Sequence, residues 1–240
     1  MSYNDHIHVT GFPRSGTTLL MACLYPTVGS HYVHQRDYSF EYILGIKNPD
    51  WERSIAKRPN DILRYTQWVN HRKRNPNISL VLMVRDIRDI MTSVHQNVPG
   101  DYFIHWDYGY RITGFNKYQR SNNGLNMMLD SYDKFRKDPL TMPIRYEGLV
   151  KHPDVIQKAM EAKLGLAFVN KKFSDHPHEK IFDIYDFKRI LDPIDNSSIG
   201  KWRRSEHLDY IKREFEKHPE LFEVLIRDGY EKDKDWINDL

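Results

Sequence analysis

Residues 11–20 read Gly-Phe-Pro-Arg-Ser-Gly-Thr-Thr-Leu-Leu, and this stretch decides the fold. Ahead of it runs a short apolar alternation, Ile7-His8-Val9-Thr10, and behind it Leu19-Leu20-Met21-Ala22 continues a helical pattern. The order predicts a strand, a glycine-bounded turn and a helix, with strand and helix covering residues 6–25. Such a turn aims backbone N–H groups and the positive end of the helix dipole at one point, which makes an anion site. Gly11 and Gly16 allow close approach that a side chain would block. Arg14 adds a permanent positive charge, and Ser15, Thr17 and Thr18 add hydroxyl donors. The spacing Gly11-x4-Gly16 is that of an ATP-binding P-loop, but Thr17 stands where that motif needs its lysine. The expected ligand is phosphate-like and other than Mg-ATP. An ordinary helix cap is the structural alternative for such a turn.

Around this loop the chain of 240 residues is long enough for one α/β domain with a sizeable core. Its 40% hydrophobic and 29% charged residues are ordinary for a globular protein. Net charge is +3, a mild excess that suits an anionic substrate without arguing for nucleic acid. The one cysteine, Cys23, leaves no internal disulfide, and the 12 histidines show no metal-ligand spacing. No run approaches the roughly 18 apolar residues of a membrane span. The N-terminus lacks a signal peptide's apolar core, so a cytoplasmic protein is expected.

Strand-like runs alternate with helical patterns, which predicts a single P-loop-like, three-layer α/β domain over 1–240, with a mainly parallel sheet flanked by helices. A short strand is expected over 42–46, ending at Lys47-Asn48-Pro49, and a helix over 60–74. The run 79–84 is the clearest buried strand. After it Ile87, Ile90, Met91 and Val94 form one apolar helical stripe. Within 95–125 the aromatics Tyr102, Phe103, Trp106, Tyr108, Tyr110, Phe115 and Tyr118 crowd together, either as a lid and acceptor-binding segment or as a long loop packed on the core. A helix near 125–137, a strand at 142–146, a helix at 153–164 and two amphipathic helices at 206–217 and 219–228 complete the pattern.

A second anchor lies at the end of the 79–84 strand, in Val84-Arg85-Asp86-Ile87-Arg88-Asp89-Ile90-Met91-Thr92-Ser93. In open parallel sheets ligands bind beyond the carboxyl ends of the strands, which is where Arg85 falls. A guanidinium there can grip a phosphate with two hydrogen bonds, and Ser93 can donate another. The alternative is a set of salt bridges among Arg85, Asp86, Arg88 and Asp89 at a helix start.

These motifs have a known counterpart. Gly-Phe-Pro-Arg-Ser-Gly-Thr-Thr resembles the 5′-phosphosulfate loop of sulfotransferases, which take a sulfuryl group from 3′-phosphoadenosine 5′-phosphosulfate (PAPS) and release PAP. Its arginine form looks most like the tyrosylprotein and bacterial branches. Arg-Asp-x-Arg-Asp, with a serine eight residues after the first arginine, resembles the family's 3′-phosphate motif. Ile144-Arg145-Tyr146-Glu147-Gly148-Leu149 resembles the segment whose tyrosine lies near the adenine, and Ser198-Ile199-Gly200-Lys201-Trp202 resembles the late element whose lysine reaches the nucleotide phosphate. The matches span residues 7–202, while the glycine-rich late loop of the cytosolic branch is absent.

The resemblance implies transfer of sulfuryl from PAPS to a hydroxyl, or an amine, of a small molecule, saccharide or peptide, with no metal and no nucleic-acid partner. It implies nucleotide contacts from Arg14, Ser15, Gly16, Thr17, Thr18, Arg85, Ser93, Tyr146 and Lys201. Arg14 would stabilise the leaving oxygen, and Lys47, similar to the family's strand-end lysine, would assist the transferring group. The family's base is a histidine two residues after that lysine, here Pro49, or a glutamate about 20 residues beyond the loop arginine, where this chain has His31-Tyr32-Val33-His34-Gln35-Arg36-Asp37. His34 is the first candidate base and Asp37 the second. A P-loop nucleotide or nucleoside kinase, and a non-catalytic protein binding PAP or an adenine nucleotide, are the competing functions.

Overall fold

The computed structural model describes residues 5–45, 53–93, 111–113, 117–119, 124–169, 171–175, 194 and 196–240. They form two compact units, Met1–Met83 with Ser131–Asn196, and Val84–Asp130 with Ser197–Leu240.

The first unit is built on a five-stranded sheet. Its strands are β1 (Asp5–Gly11), β2 (Tyr32–Asp37), β3 (Arg53–Lys57), β4 (Ile78–Val84, which runs out of the unit at its last residue) and β7 (Thr141–Arg145). Their order is β2-β3-β1-β4-β7, and β1 pairs in parallel with both β3 and β4, as does β2 with β3. Side chains alternate across β1, so its two faces meet different layers. Ile7 and Val9 join an apolar cluster with residues 20–24 of α1 (Thr17–Thr27), Leu149 of α6 (Tyr146–Lys151) and Met160 of α7 (Pro153–Leu164). On the other face His8 meets the rings of Phe40, in α2 (Phe40–Gly45), and Trp68, in α3 (Tyr65–Arg74), at 5.5 and 6.3 Å. Helix, sheet and helix therefore form three layers, as expected. Cys23 is inside the apolar cluster, and burial pushes its thiol pKa up to about 12.

The second unit contains α4 (Ile87–Met91), α8 (Ser205–Lys217) and α9 (Glu220–Arg227). Phe215 of α8 packs edge-on against Phe222 of α9 at 4.9 Å and against Trp236 at 5.1 Å. Ile87, Ile90 and Met91 are buried as their stripe predicts, while Val94 lies outside the described residues. Of the aromatic segment, only an antiparallel pair, β5 (Arg111–Thr113) with β6 (Lys117–Gln119), and the start of α5 (Gly124–Lys137) are described. The lid or acceptor role expected of 95–125 falls mostly outside the described residues. Among the described residues no helix is long and apolar enough to cross a membrane.

Three expected elements differ. Residues 42–45 are helical in α2 and not a strand, because the Ser39 hydroxyl accepts the Tyr42 N–H at 3.2 Å and Phe40 and Ile43, one turn apart, are the buried pair. The helix expected over 60–74 breaks at Arg64 (φ −116°, ψ 33°) into a 3-10 turn, Pro59–Leu63, and α3. Buried Asp61 holds that turn in place: it accepts the Phe40 N–H at 3.1 Å and lies 3.1 Å from His8 Nε2. Tyr146 opens α6 and does not end the strand before it. Two strands, β2 and β3, had no counterpart in the sequence reading.

Candidate active site

The loop between β1 and α1 is held by its neighbours. Gly11 pairs with Met83 of β4, and a Cβ on Gly11 would fall 2.7 Å from the Met83 carbonyl oxygen and 2.7 Å from Ser15 Oγ. Ser15 N–H donates to the Phe12 carbonyl at 3.0 Å, closing the turn, and Leu20 N–H donates to the Gly16 carbonyl at 3.0 Å, starting the helix. Arg14 has φ 70°, the left-handed region, and is the non-glycine residue with positive φ among those described. That conformation costs an L-residue about 1 kcal/mol or more and is concentrated at functional loops.

Among the described residues no side chain caps the start of α1 at Gly16, and its first turn holds no acidic residue. The Ser15 hydroxyl is fully buried and has no hydrogen-bond partner among the described residues. A buried hydroxyl in that state is costly unless a ligand completes it. Thr17, two residues on, is also buried, while Arg14 and Thr18 are half-buried. Tyr146 backs the loop: a Cβ on Gly16, whose φ is 99°, would lie 2.5 Å from Tyr146 Cδ2.

At the carboxyl ends of β2 and β3, Asp37 and Lys57 pair in register and their charged groups form an ion pair, with Lys57 buried. Lys57 stands opposite Val9, two residues before the loop. This is the strand-end place expected of Lys47, which follows a helix and lies outside the described residues. His34 is buried in β2 with the Tyr32 and Tyr38 rings edge-on at 4.9 and 5.3 Å. Burial lowers its pKa to about 4. Nearby His6, fully buried, is pushed well below the usual value by burial and by His8, His34 and His31; its Nδ1 lies 3.0 Å from Ser54 Oγ.

In the second unit Arg85 and Ser93 bracket α4. The Arg85 side chain, largely buried, donates from Nη2 to the Ser198 carbonyl at 2.6 Å. Asp86 caps α4 by accepting the Arg88 N–H at 2.9 Å and also takes the Arg88 guanidinium at 2.7 Å. That guanidinium pairs with Glu231 and lies over the Trp202 and Trp236 rings at 3.9 and 4.5 Å. The alternative reading of this run, salt bridges at a helix start, thus holds for Arg88 with Asp86, while Arg85 faces the segment that holds Lys201. Asp89 accepts the N–H of Gly200 at 2.8 Å and of Trp202 at 3.1 Å. Its carboxyl pKa is raised, chiefly by burial and against those two hydrogen bonds, with Asp86 adding to the rise and Arg85 opposing it.

No family model matches the chain, and no curated protein matches it in sequence. Solved structures do. Mouse sulfotransferase SULT7A1 complexed with PAP is similar at a TM-score of 0.57 and 16% identity, over 93% of this chain and 85% of that one. The sulfotransferase domain from the curacin biosynthetic pathway is similar at 0.53 and 15%, over 88% of this chain and 96% of that one. The chain has a sulfotransferase fold. Within this sulfotransferase fold, the first unit brings together the 11–16 loop and Tyr146, and the second brings together Arg85 and the turn of Lys201. Lys57 and Asp89 were missed from the sequence. A lysine followed by Arg58-Pro59 ends β3 much as Lys47-Asn48-Pro49 was expected to end a strand, and that repetition was the available signal. For Asp89 the signal was only its place in the Arg-Asp-x-Arg-Asp run, since its partners lie 111 and 113 residues away.

Proposed function

We propose that the protein is a sulfotransferase that moves a sulfuryl group from PAPS to a hydroxyl, or an amine, by in-line transfer and releases PAP. The observation that carries this reading is the 11–16 loop: among the described residues its helix start has no side-chain cap and its buried Ser15 hydroxyl has no partner, and it carries Arg14 within the turn and Thr17 where a P-loop has its lysine. The loop N–H groups with Ser15, Gly16, Thr17 and Thr18 take the 5′-phosphosulfate, and Tyr146 fixes the loop from behind. Arg85 and Ser93 take the 3′-phosphate, and Lys201, in the segment whose Ser198 carbonyl takes Arg85, reaches a nucleotide phosphate.

In the reaction the acceptor oxygen bonds to sulfur while the bond from sulfur to the bridging phosphate oxygen breaks and its electron pair stays on that oxygen. Arg14 and the loop dipoles stabilise the charge developing there, the kind of preorganised donor whose removal costs about 100- to 1000-fold in rate. A strand-end lysine offsets charge on the transferring group, and Lys57 fits that role by position where the family resemblance pointed to Lys47. The acceptor's proton passes to His34, which is neutral across the physiological range but, with a pKa of about 4, a weak base. That weakness, together with the engagement of Asp37 by Lys57, favours a second reading, a protein that binds PAP without turning it over.

Calorimetric titration with PAP, AMP and Mg-ATP tests the site. Micromolar or tighter PAP binding with much weaker AMP is expected. Binding of Mg-ATP without PAP would replace this reading with a kinase. Sulfated product from PAPS and a panel of hydroxyl acceptors separates catalyst from binder.

A further inference from the structure

Asp89 uses both carboxylate oxygens on backbone donors: Oδ2 accepts from Gly200 and Oδ1 from Trp202. It is almost fully buried, at 1% exposure, so the two bonds are shielded from competing water. Gly200 has φ 69° and starts the 3-10 turn Lys201–Arg203, which places the Asp89 carboxylate at the head of that turn as a cap supplied by a distant helix. The residue between the two captured amides is Lys201, half-buried. The same segment supplies the Ser198 carbonyl that takes Arg85 Nη2. One carboxylate thus sets the backbone from which Lys201 projects and the strand of chain against which Arg85 rests.

We infer that Asp89 is a positioning residue for the 3′-phosphate end of the nucleotide site, acting through the 198–202 segment on Lys201 and Arg85. This rests on the reading of that end as a PAPS site. The effect is selective by construction, because both of these Asp89 bonds go to the segment that holds Lys201 and carries the Ser198 carbonyl that takes Arg85. An amide at position 89 offers one acceptor oxygen and turns an NH2 group toward a backbone N–H, so Asp89→Asn replaces one of the two bonds with a donor facing a donor.

The test compares PAP with adenosine 5′-phosphosulfate, which lacks the 3′-phosphate, by calorimetry, with amide hydrogen exchange at Gly200 and Trp202 followed in the free protein. In Asp89→Asn, PAP should bind about tenfold or more weakly, the loss of a charge-assisted contact. Adenosine 5′-phosphosulfate should stay within about twofold, and both amides should exchange faster. Lys201→Ala should show the same selective loss, and adding Asp89→Asn to it should cost little more, since the two act as a unit. If Asp89→Asn does not fold, Gly200→Ala decides: a Cβ there meets nothing within 4 Å among the described residues, so its methyl group strains the left-handed turn and should reproduce the selective loss. Unchanged PAP affinity, or equal loss for both ligands, in a folded variant would overturn the role of Asp89. Wild-type protein that fails to bind PAP at all would instead overturn the site's reading, and the positioning role with it.

Discussion

Lys57 and Asp37 form an ion pair across the carboxyl ends of two neighbouring parallel strands. The lysine side chain is 5% exposed and the carboxylate 23%, so removing the lysine leaves a poorly solvated charge behind. Lys57→Met should lower unfolding stability in urea by about 3 kcal/mol, and adding Asp37→Leu should recover much of it. The same Lys57→Met protein should lose transfer while still binding PAP. Turnover at the wild-type rate would remove Lys57 from the mechanism.

Arg14 has two separable effects, one from its charge and one from its backbone. Arg14→Ala and Arg14→Gly both remove the guanidinium, and both should slow transfer about 100- to 1000-fold with PAP binding largely kept. Only glycine suits φ 70°, so Arg14→Gly should be about 1 kcal/mol more stable than Arg14→Ala. Equal stability of the two variants would show that the left-handed backbone carries no strain.

The contact between Gly16 and Tyr146 predicts a rescue. A methyl group at position 16 would meet the Tyr146 ring at 2.5 Å. Gly16→Ala should therefore lower the melting temperature and weaken PAP, and Tyr146→Leu placed on top should restore part of the stability by making room. If the second change restores nothing, backbone strain at φ 99° and not the ring is the obstacle.

Acid should weaken the first unit through its histidines. The pKa of His34 is lowered to about 4 and that of His6 is lowered well below 6.5, so the unfolded chain takes up these protons more readily than the folded one. Stability from this source is intact above about pH 6.5 and falls as the pH drops below it; the His34 share is fully lost near pH 4. Urea midpoints at pH 7 and pH 5 should differ accordingly, and His34→Gln should shrink the difference. Identical midpoints in wild type would argue against the buried, neutral state of these rings.

The elements legible in the sequence were those whose residues satisfy themselves locally. The 11–16 loop announces its turn through Gly11 and Gly16, β4 is continuously apolar from Leu80 to Val84, and α7 begins at Pro153. β2 and β3 hid because their buried polar groups look like surface: Ser54 is beside His6, 48 residues away, and Lys57 is paired with Asp37, 20 residues away. α2 was misread because its apolar run lacks an obvious helical period without the Ser39 cap and the burial of Phe40.

The candidate site divides along the same line. Arg14, Ser15, Thr17 and Thr18 were legible because helix-start chemistry is local, and Arg85 because a strand end is a place where ligands bind. Lys57 and Asp89 depend on a strand pairing and on a hydrogen bond reaching across more than a hundred residues, and neither leaves a pattern within a short window of sequence.

Cys23 has a practical consequence for experiments on the protein. It is the chain's one thiol, it is fully buried, and a pKa of about 12 leaves almost no thiolate at neutral pH. Maleimides and other alkylating dyes should pass over it in the folded state. The sequence is thus a ready background for single-site labelling: a cysteine put in place of exposed Ser205, just past the Lys201–Arg203 turn, would be the one reactive group, and a fluorophore there would test whether a nucleotide reaches the turn.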